Sequence, residues 1–179
     1  MRYALLISGF VCAALILATR GPAAQSVSLQ RDALDDWTSL KSTMMKISEA
    51  MPADKYGYKS TAPQRTFGEQ VLHVAEANVI QMGRLGFKAA APAINMKATS
   101  KAEILKALSD SFDYGTAALK EQTDQTMLQM ADASRFSFGG PSTRARVVFF
   151  VIGHTWDIYG QMAVYLRLNG IVPPASQRP

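Results

Sequence analysis

The stretch from Ser142 to Leu168 constrains this chain more than any other. Two apolar stripes run along it at helical spacing. One is Val148, Ile152, Trp156 or Thr155, Tyr159, Ala163 and Leu166. The other is Val147, Val151, His154, Ile158, Gln161 and Tyr165, in steps of 4, 3, 4, 3 and 4. A helix with two seams needs neighbours on two sides, so the pattern predicts a helix central to a bundle. Asn169-Gly170 then reads as a C-cap, and Pro173-Pro174 prevents the helix from resuming.

Three further helices precede it. Between Leu29 and Met51 the apolar positions Ala33, Trp37, Leu40, Met44, Ile47 and Met51 form one stripe, and Pro52 ends it. Residues 52–65 carry two prolines and a glycine and read as a loop. Thr66 and Glu69 have capping-box spacing, opening a second helix that runs to about Met82 before Gly83 and Gly86. Ser100 and Glu103 repeat that spacing ahead of a third helix with Ile104, Leu105, Leu108, Phe112, Gly115 and Leu119 inward. Residues 123–142 are polar, with Gly139-Gly140-Pro141 as a break. No run alternates at strand period. The expected fold is all-α, a bundle of four long helices with long connections, over residues 28–176. The 179 residues, 48% of them hydrophobic, suffice for one such core.

Residues 1–24 read as a signal peptide: Arg2, then an apolar run from Ala4 to Ala18, then the small residues Gly21, Ala23 and Ala24. The run is shorter than the ~20 residues of a membrane span. Cleavage near Ala24 removes Cys12, the one cysteine, and with Arg2 and Arg20 gone the net charge falls from +5 to +3. A thiol-free chain suits an oxidising compartment, so export to a bacterial periplasm or the extracellular space is expected, with no membrane association after cleavage. The 19 basic residues are scattered and form no Lys/Arg-rich block, which argues against a nucleic-acid partner.

Histidine chemistry must use His73 or His154, the two histidines of the chain. They lie on two different helices, and metal sites in bundles are built from facing helices. Two ligands alone are few, since catalytic zinc ordinarily has three from protein. Glu69 and His73, one turn apart, have the spacing of a base and its orienter. Arg144 and Arg146 fall in the first turn of the last helix and read as a solvated face. The methionines sit at helical spacing and read as core.

The sequence resembles the DinB-like four-helix-bundle proteins, a family described as metal-dependent hydrolases. The resemblance runs from about Asp32 to Ser176. It rests on Phe67-Gly68-Glu69-Gln70-Val71-Leu72-His73-Val74-Ala75 and, above all, on His154-Thr155-Trp156-Asp157-Ile158-Tyr159-Gly160-Gln161, continuing through Tyr165-Leu166-Arg167 to Asn169-Gly170-Ile171-Val172-Pro173-Pro174. It implies a zinc or nickel ion held by three histidines, one from the second helix and two from the last, four residues apart. It also implies hydrolysis or transfer chemistry on small thiols, and a homodimer. His73 matches the first ligand and His154 the second. The third falls on Ile158, which cannot coordinate. Asp157, three residues after His154, is the available substitute, and two imidazoles with one carboxylate suit a divalent metal. The expectation is an exported DinB-like bundle with a degenerate metal site, weak or no catalysis, and a small-ligand or partner-binding role. The alternative is a divalent-metal-dependent hydrolase or thiol S-transferase with a substitute third ligand.

Overall fold

The computed structural model describes residues 27–131 and 141–177. Residues 1–24, with the expected leader and Cys12, and the Gly139-Gly140 break lie outside the described residues. The helices are α1 (Leu29–Ala50), α2 (Phe67–Met82), α3 (Lys101–Lys120), α4 (Asp124–Met127) and α5 (Arg144–Leu168). Among the described residues none of them is long and apolar enough to cross a membrane.

Local chemistry sets most boundaries. The Thr66–Glu69 capping box forms in full: Glu69 N donates to Thr66 Oγ1 at 3.1 Å and Thr66 N donates to Glu69 Oε2 at 2.6 Å. At Ser100 only half of the expected box forms. Glu103 N donates to Ser100 Oγ, but Glu103 Oε2 accepts from the Ser100 hydroxyl rather than from its backbone. α5 ends in a Schellman motif, with Gly170 N donating to Arg167 O and Ile171 N to Leu166 O. Gly170 sits at φ +73°, where a side chain would be strained.

α1 and α2 each pack on both α3 and α5, so the four long helices close a ring around one core. The two seams of α5 accordingly face α1 and α2. Each long helix has two such neighbours, so α5 is not the unique centre that its double stripe suggests. On its first stripe Thr155 is buried and Trp156 is about half exposed. Trp37 is fully buried, its Nε1–H donating to Phe112 O at 2.9 Å and its ring 4.7 Å from that of Phe112. An added Cβ on Gly115 would lie 2.4 Å from Trp37 Cζ2, so glycine is what lets α3 approach α1.

Two further sequence expectations are revised. The polar connection before α5 contains the single turn α4, capped by Thr123 and anchored by the fully buried Met127. One turn is too short to show a period. Asp124 on that turn accepts from Ser28 Oγ and Gln30 N, tying it to the start of α1. Arg144 is not a solvated face: it is half-buried, and its Nη1 donates to Gln122 Oε1 at 3.0 Å.

Candidate ligand site between α2 and α5

α2 and α5 bring the two histidines together. The rings of His73 and His154 are 5.0 Å apart at their centroids and perpendicular, close enough to share one small ligand or water. Phe150, one turn before His154, lies nearly parallel to its ring at 6.0 Å. One turn further along α5 than Ile158, Gln161 Oε1 accepts from Gln70 Nε2 at 2.9 Å, and Gln161 Nε2 donates to Asp157 Oδ2 at 3.0 Å. This chain of amides fixes the register of α2 against α5 beside the histidine pair.

The loop before α2 supplies a cation. Tyr165 on α5 donates its hydroxyl to Arg65 O at 2.6 Å, and Phe67 N donates to Tyr58 O. Both bonds hold residues 58–67 against the bundle, which puts the Arg65 side chain beside the histidines. The field of Arg65 disfavours protonation of both. Burial is the larger cause in each case. It pushes His73 down to about 4, with Arg65 and His154 adding to the effect. His154 is lowered by burial, opposed by Asp157, with Arg65 acting in the same sense as burial. Both imidazoles are therefore neutral at pH 7, and each offers one N–H donor and one lone pair.

The pair opens onto two adjoining hollows. One, of about 210 Å³, is lined by His73, Glu76, Ala77, Ile80, Phe150 and His154. The other, broader and about 420 Å³, is lined by Lys59, Arg65, Glu69, His73 and Glu76 among others.

Glu69 does not serve as an orienter for His73. Its carboxylate is held by the backbone of Thr66, and that bond keeps its pKa low. Arg65, Glu76 and Phe150 are the neighbours that sequence reading missed. Phe150 had a signal, since it sits one turn from His154. Arg65 had none, because a loop residue reaches the site only through the Tyr165 bond.

The donors present do not make up the three-histidine metal centre that the resemblance implies. The position one turn after His154 is Ile158, only 3% exposed and part of the hydrophobic core. Asp157 points its Oδ2 at Gln161 and is itself exposed. Among the described residues no group of three His, Cys, Asp or Glu side chains is placed to hold a metal ion.

Comparison with known proteins follows the same lines. A family model described as the DinB family matches residues 26–179. A crystal structure of a DinB-like protein from Bacillus cereus ATCC 10987 superposes with a TM-score of 0.70 at 21% identity, covering 80% of this chain and 95% of that one. At that identity the likeness concerns the fold. Comparison with curated proteins gave no match.

Proposed function

Because this chain belongs to the DinB family, we propose that it is an exported member in which the His73–His154 pair binds a small ligand, with weak or no metal-dependent catalysis. The observation that carries this reading is Ile158. A buried, branched hydrocarbon occupies the place of the third imidazole, and nothing else among the described residues completes the set. Two neutral imidazoles beside a cation and a hollow form a recognition site without a Lewis acid.

The test is calorimetric titration of the mature chain with zinc and with nickel at neutral pH. Zinc sites ordinarily take three or four protein ligands. A two-imidazole pair should bind no tighter than about 10 µM, roughly −7 kcal/mol. One observation favours the metal-dependent alternative: the Asp157 carboxylate lies near enough to His154 to hold its pKa up against burial. A tight single zinc or nickel site would mean that Asp157 leaves Gln161 for the metal, and would make a hydrolase or thiol S-transferase the better reading.

Export is proposed on the leader pattern of residues 1–24. Intact mass of the chain from its own host should start near Gln25, and a chain retaining Met1 would overturn it. A homodimer is proposed on the outer face of α5. There Phe149, Trp156 and Val164 are each about half exposed, and an added Cβ on Gly153 or Gly160 would meet nothing. Exposed apolar surface of this kind is what a second copy would cover.

A further inference from the structure

We infer that the groove along the outer edge of α2 takes a small zwitterion, an apolar α-amino acid, with its carboxylate at Arg65 and Lys59, its ammonium at Glu76 and its side chain in the hollow formed by Ala77, Ile80 and Phe150. This rests on the reading above that the histidine pair faces an organic ligand rather than a tightly held metal.

The groove follows from helical spacing. Glu69, His73, Glu76 and Ile80 step by 4, 3 and 4 along α2, so they share one face. The rest of α2 is committed to α3 and α5. The two hollows meet at His73 and Glu76, which line both. The two hollows thus adjoin at these two side chains, and their far ends differ in chemistry.

The loop end carries a cationic excess. Arg65 and Lys59 come from the loop at one end. Neither forms an ion pair within 4 Å among the described residues. Of the two carboxylates, Glu69 binds the Thr66 backbone through one oxygen and feels the fields of Lys59 and Arg65, so two cations face one anion at the loop end and a single positive charge is left over there. Glu76 has no such partner among the described residues and stands between the polar end and the apolar one. A carboxylate at the loop end and an ammonium at Glu76 would each meet an opposite charge, with the His73 ring between them able to donate or accept a hydrogen bond. A monocarboxylate would leave Glu76 facing an anion, and a simple amine would leave Arg65 and Lys59 facing a cation.

The apolar end sets the size. Its volume of about 210 Å³ lies below the ~300–1,000 Å³ typical of drug-sized ligands. Glu76 and Ile80 are four residues apart, about 6 Å of rise, a span that a leucine bridges from its ammonium to the contact surface of its methyl groups. Ile80 is half exposed and supplies apolar contact there that no described element covers.

The experiment is a set of NMR titrations of the full mature chain, following the histidine ring protons. The probes are L-leucine, 4-methylpentanoate (the ammonium removed), isopentylamine (the carboxylate removed) and glycine (the side chain removed). Leucine should bind in the millimolar range. Each of the other three should bind several-fold more weakly, since each exposed ion pair contributes modestly. Arg65→Gln should weaken leucine and 4-methylpentanoate roughly 3–5-fold and leave isopentylamine no weaker. Glu76→Gln should weaken leucine and isopentylamine and leave 4-methylpentanoate no weaker. Equal binding of all four probes, or the same effect of both variants on every probe, overturns the inference. So does the lack of a saturable leucine response in the tens of millimolar. Zinc titration of the same sample separates the two levels. Weak zinc binding without a leucine response sinks the amino-acid assignment and leaves the degenerate-site reading standing. A tight zinc site removes both.

Discussion

Replacing Ile158 with histidine tests the reading of the site most directly. Ile158 is 3% exposed and packs in the core, while His154 lies one turn before it on the same side of α5. Without metal, the substitution should destabilise. Losing a buried isoleucine side chain costs about 1.5–3 kcal/mol, and an imidazole placed among apolar groups adds ~1–3 kcal/mol where it lacks a partner. The neighbouring His154 and Gln161 offer partial hydrogen bonding, so a net cost of roughly 2–4 kcal/mol is expected. For a domain of this size that lowers Tm by about 5–15 °C. With zinc present the sign reverses. The variant carries three imidazoles, and zinc at about a hundred times Kd returns ~2.7 kcal/mol through its preference for the folded state. Thermal unfolding should be followed in EDTA and in zinc for the native chain, Ile158→His, and Ile158→Asn as a polar control with no ring nitrogen. Zinc should rescue the histidine variant alone. If zinc raises the Tm of the native chain as much as that of the variant, Ile158 does not interrupt the site. If the variant folds and zinc leaves its Tm unchanged, position 158 does not face the pair. Either result refutes the reasoning.

Three other outcomes are expected. Gly115→Ala should destabilise by about 1–3 kcal/mol in urea unfolding despite the better helix propensity of alanine; the new Cβ would meet Trp37, which is buried and held by its hydrogen bond to Phe112, and a raised midpoint would contradict this. His73 is lowered to about 4 in the folded chain, against ~6.5 when unfolded. Its contribution is therefore intact above pH 6.5 and is lost as pH falls from 6.5 towards 4, where the unfolded chain takes up the proton first. Because the ring is only half-buried the loss should be on the order of 1 kcal/mol. His73→Gln should reduce the slope of stability across that window, leaving the part due to His154, and an unchanged slope would tell against the burial argument. Trp156→Glu should convert a dimer of the mature chain to a monomer in light scattering without a change in helicity; a native chain that is already monomeric at high concentration would remove the α5 face as an interface.

The extent to which the site was legible differs from residue to residue. His73 and His154 could be singled out because each lies on a helix whose period and caps are local. Ile158 could be singled out because the resemblance implies a third histidine four residues after His154, where this chain has isoleucine. That the two rings face each other depends on α2 packing against α5, a contact between residues about eighty positions apart. The Gln70–Gln161–Asp157 chain depends on the same packing, and it is this chain that turns Asp157 towards an amide.

The four long helices, their ends at Pro52, Gly83 and Gly170, and the Thr66 cap were set by the sequence itself. Each of these features is decided within about one or two helical turns, by spacing, a side-chain cap or a forbidden dihedral. Tertiary structure alone decided the rest. It chose Thr155 over Trp156 for burial and drew Arg144 inward to Gln122. It left Glu69 to its cap and carried Arg65 to the histidines through Tyr165. These outcomes turn on which side chains from distant segments compete for the same space or hydrogen bond, and no local pattern encodes that competition.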